Sequence, residues 1–251
     1  LTGHGCAFAP VSRPFSSSFS DGNWLGVSTD LEETAAQIAR ISAADAATWR
    51  SLVAGFGAQA PHLFGLLGSP MKTRALAYFM FKTLRAKGLN GTLDMGQFLL
   101  QSPRQWLTQT FTSPKVQAML GAWGMHLDFA PDVAGGALFP YLEGMAGQAF
   151  GMVLGKGGAD TIIRAMCAAI TARGGRIETG QSVSRILHTS GKATGIQLAD
   201  GREITARRAV IANVAPRNLP RLTGTASDFD AKLTAFAHAP GTMMIHLALS
   251  D

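Results

Sequence analysis

The stretch from residue 157 to residue 216 constrains the fold more strongly than any other part of the sequence. Gly157-Gly158 precedes an amphipathic pattern over 159–173, whose apolar residues recur at helical spacing and which ends at a second glycine pair. Short β-type segments follow, and Ser190-Gly191 and Asp200-Gly201 separate them as hairpin turns do. A helix followed by such a meander predicts a fold of the α/β (α+β) class.

Five strands are predicted in and around this meander. Asp200-Gly201 suits a type I′ turn, in which both central residues need positive φ. The last apolar run, Ala209-Val210-Ile211-Ala212, shows no alternation and is typical of a strand buried in a parallel sheet. The predicted strands are 176–178, 183–188, 193–198, 203–206 and 209–212.

Composition and charge exclude several classes of protein. Hydrophobic residues make up 47% and charged residues 15% of the chain, which indicates a folded protein rather than a disordered one. The net charge of +6 comes without interleaved basic and aromatic residues, so we predict no nucleic-acid partner. Two cysteines form no disulfide framework and predict a reducing, cytoplasmic location. The six histidines lack metal-ligand spacing, so no metal site is predicted.

The region from residue 30 to about residue 130 has a helical pattern. Thr29-Asp30 is its predicted N-cap, because two glutamates follow in the first turn, where acidic side chains interact favourably with the helix dipole. The later segment 151–157 lacks the spacing of a phosphate-binding P-loop and is predicted to be a loop. Four prolines are predicted to divide the region into short helices: Pro61, Pro70, Pro103 and Pro114.

One predicted helix, 71–87, allows two interpretations. Basic residues flank its uncharged centre, and four apolar residues share one face, namely Leu76, Phe79, Met80 and Leu84. The first interpretation is a core helix with basic ends. The second is peripheral membrane contact, because basic flanks and an aromatic face suit the headgroup region of a bilayer. No run of 18 apolar residues occurs, so no transmembrane helix is predicted.

The order and spacing of these motifs resemble those of the phytoene-desaturase-like FAD oxidoreductases. The similarity is strongest from 157 to 216, where the glycine pairs are followed by Gly195-Ile196-x-Leu198-x-Asp200-Gly201 and by Val210-Ile211-x-Asn213-x-x-Pro216. In the helical part, Ser102-Pro103-Arg104 and Ser113-Pro114 look like the branch that includes pyridine nucleotide-disulfide oxidoreductase domain-containing protein 2. The resemblance runs the length of the chain.

The resemblance implies a partial Rossmann-like FAD-binding domain interleaved with a substrate domain of sheet plus helices. By this comparison residues 1–150 belong to the substrate domain and residues 151–216 to the FAD-binding domain. Residues 217–251 return to the substrate domain. The family's opening G-x-G-x-x-G unit is missing from the sequence, and so is its closing C-terminal segment, so we expect a fragment of a longer enzyme.

The resemblance also implies a short set of cofactor-binding residues. Val183 matches a position whose backbone meets the adenine ring, and Ala212-Asn213 matches a strand end near the diphosphate or the flavin ring. Gly157-Gly158 matches an entry loop where missing side chains allow close approach. The alternatives are a buried strand residue at Val183, a turn-forming Asn213 and glycines that only punctuate a helix.

The function implied is transfer of a hydride from an apolar small-molecule substrate to FAD. No paired carboxylates or activated nucleophile stand out, so the catalytic residues are unknown. A second hypothesis is a remnant without cofactor that serves as a binding or assembly module. Seven aromatic residues are candidates to line a substrate pocket: Trp106, Phe111, Trp123, Phe129, Phe139, Tyr141 and Phe150.

Overall fold

The chain divides into two compact units, Leu1–Met166 and Cys167–Asp251. Helices and three small antiparallel sheets build both units, which confirms the predicted mixed α/β (α+β) class. The predicted boundaries of an FAD-binding segment at residues 151 and 216 stay a prediction. The computed structural model describes residues 1–70, 72–125, 130–238, 241 and 243–245.

The first unit begins with three strands and continues with helices. The strands are β1 (Phe8–Val11), β2 (Phe15–Ser18) and β3 (Trp24–Val27). The helices are α1 (Leu31–Ala39), α2 (Ala43–Leu67), α3 (Thr73–Leu100), α4 (Pro103–Thr110), α5 (Pro114–Gly124) and α6 (Leu138–Phe150). Strand β4 (Met152–Gly155) pairs antiparallel with β1, and β2 pairs antiparallel with β3. Helix α7 spans Asp160–Thr171.

The helices begin where the sequence supplies caps. Asp30 is the N-cap of α1, as predicted, and its carboxylate accepts hydrogen bonds from two backbone N–H groups of the first turn. Pro103 and Pro114 open α4 and α5, where a proline lacks only an N–H that has no helical partner. At α4, Ser102 and Gln105 form a reciprocal capping box.

Two long helices differ from the sequence prediction. Helix α2 continues through Pro61, so the prediction that this proline ends a helix was wrong. Phe56 and Leu63, on either side of it, are buried in one core, and their burial offsets the roughly 3 kcal/mol that an internal proline costs. The helix predicted to end at Lys87 breaks at Gly88, with φ +69° and ψ −177°, but then continues to residue 100. Such a backbone conformation is restricted to glycine.

The predicted loop 151–157 contains strand β4, so the prediction was wrong for residues 152–155. Gly151 turns the chain from α6 into this strand with φ +64°, and a Cβ there would lie 2.5 Å from the carbonyl oxygen of Val11. The strand exists because β1 supplies its hydrogen-bonding partner. That partner is distant in sequence, and local periodicity does not reveal it.

The core of the first unit is centred on Trp49 of α2. Its ring is fully buried, and its indole N–H donates a hydrogen bond to Gln148 Oε1 at 2.9 Å. The Gln148 amide donates in turn to the Ser28 carbonyl oxygen at 2.6 Å. Gly144 of α6 lies beneath the ring, since a Cβ there would be 3.5 Å from Trp49 Cη2 and 2.8 Å from Leu120 Cδ2. Two helices therefore approach closely, and the side-chain polar atoms of Trp49 and Gln148 are paired.

The second unit contains the predicted meander. Strands β5 (Val183–Thr189), β6 (Lys192–Leu198) and β7 (Glu203–Thr205) form one antiparallel sheet in that order. Ser190 and Gly191 both have positive φ, which is the type I′ pattern. The Asp200-Gly201 hairpin is present, but only Gly201 has positive φ, so this turn is of the longer type that ends in a glycine bulge. Helices α8 (Leu219–Thr223) and α9 (Asp228–Thr234) follow.

Two predicted strands of this unit are absent from the described structure. Residues 176–178 and 209–212 adopt no strand, so both predictions were wrong. Ile211, predicted to be buried, is 92% exposed. A strand is stable when a neighbour satisfies its backbone hydrogen bonds, and no strand of the described residues pairs with either segment. The sequence also has a strand-like apolar run at 243–249, most of which lies outside the described residues.

A pH-dependent contact lies at the turn between β2 and β3. The Lys115 ammonium bonds the Asp21 carboxylate, Asn23 donates to it as well, and these hydrogen bonds lower the pKa of Asp21 from 3.8 to about 2. A carboxyl group whose pKa is lower in the folded state stabilises the fold at pH values above its unfolded-state pKa. This stability is lost as the pH falls toward 2.

We expect Lys115→Met to raise the pKa of Asp21, measured by NMR titration of its carboxyl carbon. Lys192→Met should leave it unchanged, and an unchanged value in Lys115→Met would contradict the assignment.

Candidate functional site

Helices α2, α3, α4 and α6 enclose a half-open cavity of about 480 Å³ within the first unit. This volume falls in the usual range for small-molecule sites, roughly 300–1,000 Å³. Gly55 of α2 faces the cavity, and a Cβ added there would meet no atom within 4 Å. The apolar lining residues are Leu52, Leu63, Met95, Phe98, Trp106 and Tyr141.

Three aromatic rings form one wall of this cavity. The ring centroids of Phe98 and Tyr141 are 5.4 Å apart, those of Trp106 and Tyr141 5.8 Å, and those of Phe98 and Trp106 6.0 Å. All three pairs meet edge to face, which is a favourable geometry for aromatic side chains. Because the rings come from three different helices, the wall is fixed by the packing of the unit.

Polar groups are few and lie among these apolar residues. Lys87 Nζ donates a hydrogen bond to Gln59 Oε1 at 2.9 Å. The Asp94 carboxylate and the Tyr141 hydroxyl form no hydrogen bond with any residue that the structure describes. Burial raises the pKa of Tyr141 to about 12, so its hydroxyl is neutral at physiological pH. The cavity therefore offers a cationic donor, an anionic acceptor and a neutral hydroxyl to an apolar ligand.

The predicted pocket aromatics divide between cavity and core. Trp106 and Tyr141 line the cavity, whereas Phe111 is buried in the core. Phe150 is 71% exposed, and Phe129 lies outside the described residues. Aromatic content alone did not distinguish these environments, because a core and a pocket both favour large apolar side chains.

Several cavity residues were missed in the sequence. Gly55 and Gln59 lie one helical turn apart on α2, and Lys87, Gly91 and Asp94 follow a similar spacing on α3. Small residues and isolated polar residues at this spacing on an otherwise apolar face are a signal that sequence reasoning can use. This spacing signal identifies a cavity only when the helix that packs against that face is also known.

The predicted entry loop Gly157-Gly158 connects β4 to α7. Both glycines are exposed and have positive φ, +88° and +104°, a region that residues with side chains rarely adopt. A Cβ on either would meet no atom closer than 3.4 Å, so the space beside the loop is open. The glycines are thus required by the backbone, and their role in cofactor binding stays a prediction.

Val183 lies at the start of β5, on the outer edge of the sheet. It faces Leu198 of β6, and next to this pair the Ala199 N–H donates to the Ser182 carbonyl oxygen at 2.8 Å. Hydrogen-bonded and non-hydrogen-bonded residue pairs alternate along two antiparallel strands. Because the Val183–Leu198 pair is next to a hydrogen-bonded pair, the N–H and C=O of Val183 point away from β6. No strand among the described residues pairs with that edge. The alternative of a buried strand residue is wrong, because Val183 is 37% exposed.

Ala212 and Asn213 lie in an exposed segment outside any strand or helix. The Asn213 side chain forms no hydrogen bond with the described residues, so its amide is available to a ligand. The strand end that the resemblance implied is absent here, because 209–212 is not a strand. Ala212, Asn213 and Val183 belong to the second unit, and Gly157-Gly158 belongs to the first.

An apolar cavity in a helical unit, together with a unit that carries a β-meander with an open edge, is consistent with an oxidoreductase that binds a nucleotide cofactor. The chain belongs to the flavin containing amine oxidoreductase family, which its residues 39–247 match. This region includes the cavity and Val183. The predicted resemblance to flavin oxidoreductases is therefore confirmed, while its assignment to one branch stays a prediction.

Two curated relatives are desaturases. The hydroxyneurosporene desaturase of Cereibacter sphaeroides is 27% identical over 199 residues, which cover 74% of this chain and 36% of that protein. The hydroxyneurosporene desaturase of Rubrivivax gelatinosus is 28% identical over 156 residues, which cover 61% of this chain and 28% of that protein. The chain thus spans about a third of the length of the curated relatives it matches.

The residues present fit part of a flavin nucleotide. The outward main-chain N–H and C=O of Val183 match the donor and acceptor edge of a planar base. The exposed amide of Asn213, in the same unit, adds a hydrogen-bonding group. The sequence supplies no G-x-G-x-x-G loop, so a diphosphate is not accounted for by these residues.

Proposed function

We propose that this chain is part of an FAD-dependent oxidoreductase or desaturase that removes a hydride from an apolar organic substrate. The observation that carries this proposal is the family match over residues 39–247, which includes both the apolar cavity and the open edge at Val183. The flavin accepts the electrons when it is bound. We propose that this flavin is FAD.

The chain's own residues bind and orient the substrate in this proposal. The ring wall of Phe98, Trp106 and Tyr141 holds an apolar body and excludes water from it. Lys87 and the neutral Tyr141 hydroxyl orient a polar substituent, if the substrate carries one. The relatives are named as hydroxyneurosporene desaturases, and hydroxyneurosporene is the first test substrate. No residue is assigned as a catalytic acid or base.

The first experiment is to purify the protein encoded by the complete gene and record its absorbance spectrum. We expect a bound-flavin band at about 450 nm, and the cofactor released by denaturation should have the mass of FAD. Added FAD should raise the melting temperature of protein stripped of cofactor. A colourless protein that gains no stability from FAD would favour the second hypothesis, a cofactor-free binding or assembly module.

A substitution pair at Val183 tests the main-chain contact. Val183→Pro removes an N–H that points away from β6, and proline is tolerated at such edge positions. Val183→Ala keeps the N–H and serves as the matched control. We expect Val183→Pro to weaken FAD binding about tenfold while Val183→Ala binds normally, measured by equilibrium titration of stripped protein. Equal affinities in the two variants, with unchanged circular dichroism, would contradict the contact.

A further inference from the structure

We propose that the outward face of the first half of α3 is a docking surface for an anionic lipid bilayer. We call this the α3 face and define it as Arg74, Tyr78, Phe81, Lys82 and Arg85. These residues recur at helical spacing and lie on one side of the helix. The proposal concerns where the protein works and does not depend on whether it binds a flavin.

The apolar face predicted from the sequence packs in part against the unit, as the core interpretation requires, and membrane contact stays a proposal that rests on the other side of the helix. Phe79 and Thr83 are buried and fix the inner side of the helix; Phe79 reaches within 3.8 Å of the position that a Cβ on Gly65 of α2 would occupy. On the opposite side, Tyr78 is 69% and Phe81 is 61% exposed. A core helix would not leave both aromatic rings in water, since this forgoes the free energy of burying them.

Apolar exposure continues beyond the two aromatic rings. Met80 and Leu84 of α3 are also exposed, and so are Phe64 and Leu67 at the adjoining end of α2. A group of exposed large apolar side chains of this kind marks an interaction site rather than ordinary surface. Tyrosine and phenylalanine suit the boundary between headgroups and acyl chains, where an apolar ring and a polar group are both accommodated.

The charges around the face identify the partner. Arg74, Lys82 and Arg85 form no ion pair with any carboxylate that the structure describes. No acidic residue occurs between positions 72 and 93 of the sequence. The pKa of His62 of α2 is lowered, first by desolvation and then by the positive charges of Lys87 and Lys82. Anionic headgroups complement such a surface, and each basic residue near the membrane adds to the attraction.

This surface is suited to peripheral contact. Along the described ranges of the chain, none of the helices combines the length and apolarity that a membrane span requires. The α3 face, which places two exposed aromatic rings among basic side chains, suits the headgroup level of a bilayer rather than its interior.

The test is co-sedimentation of the full-length protein with vesicles of phosphatidylcholine alone or phosphatidylcholine mixed with phosphatidylserine. We expect binding to the mixed vesicles only, and we expect it to weaken as salt is raised. Lys82→Glu with Arg85→Glu should reduce partitioning about tenfold or more, and Tyr78→Ser with Phe81→Ser should reduce it similarly. Circular dichroism confirms that each variant is folded.

Two matched controls keep the test specific. Arg207→Glu with Arg208→Glu makes the same change of net charge at an exposed site in the second unit, and Phe229→Ser removes another exposed ring. Both should bind vesicles normally. Absence of binding by the wild type, equal binding to neutral vesicles, or equal losses in the controls would overturn the proposal. So would a lipid-independent dimer that Tyr78→Ser with Phe81→Ser dissociates, since the face would then serve a second copy of the chain.

Discussion

Replacing Trp49 with alanine is expected to lower the free energy of unfolding by about 3–5 kcal/mol, which is the usual cost of removing a buried tryptophan. The ring is fully buried above Gly144, so its loss leaves a cavity that the two helices cannot close without moving. The change also leaves Gln148 Oε1 without its donor at a buried site, which adds a desolvation penalty. Urea denaturation followed by circular dichroism measures the loss.

Trp24 supplies the matched control for this prediction. It is the same residue type, but it is half exposed and its ring contacts the Arg40 guanidinium at 5.9 Å. Trp24→Ala should therefore cost less than about 1 kcal/mol. Trp49→Phe should fall between the two, because it keeps most of the apolar volume but not the hydrogen bond. If Trp49→Ala and Trp24→Ala were equally mild, Trp49 would not be the centre of the core.

Gly55→Leu is expected to lower the rate of flavin reduction by the test substrate on the order of 100-fold. The leucine side chain would extend from α2 toward the cavity that Gly55 lines, and its Cβ would meet no atom within 4 Å. The effect would therefore come from lost space for the substrate rather than from strain. Stopped-flow measurement of flavin bleaching under anaerobic conditions gives the rate.

Gly57→Leu is the control, since Gly57 lies on the same helix, is exposed and also has open space at its Cβ position. Both substitutions remove a helical glycine, so both should stabilise α2 to a similar extent. Gly57→Leu should reduce flavin at the wild-type rate. Equal rates in the two variants would mean that the substrate binds elsewhere, and the family assignment would be unaffected.

Local chemistry made several elements of the fold predictable. Asp30 caps α1 through its own side chain, and Pro103 and Pro114 open helices because their missing N–H groups cost nothing there. The hairpins at Ser190-Gly191 and Asp200-Gly201 follow from residues that tolerate positive φ. Each of these signals acts within a few residues, so a single sequence contains it completely.

Elements that depend on distant partners were less predictable. Residues 152–155 form a strand because β1 pairs with them, whereas 209–212 has the right composition but no described partner. Pro61 was predicted to end a helix, but burial of the residues on both sides keeps α2 continuous. Tertiary contacts decided all three outcomes, and propensity alone does not contain them.

The candidate site also contains residues that the sequence could identify and residues that only the folded structure brings together. Val183 was selected through a resemblance. The structure places it on an open edge of the sheet, and its role in cofactor binding stays a prediction. The cavity was not located in advance, because its polar residues Gln59 and Lys87 lie on separate helices and meet only after folding. Two of its aromatic residues, Trp106 and Tyr141, were among the sequence candidates.

The break at Gly88 has a consequence for how a substrate reaches this protein. It divides α3 into a half that carries the α3 face and a half that lines the cavity, and Lys87 at the junction borders both. With the α3 face on a bilayer, Lys87 would bring the cavity lining close to the lipid surface. If the protein acts on a lipid-soluble substrate, as proposed above, the substrate would arrive by lateral diffusion. The turnover rate would then follow its mole fraction in the membrane instead of its aqueous concentration.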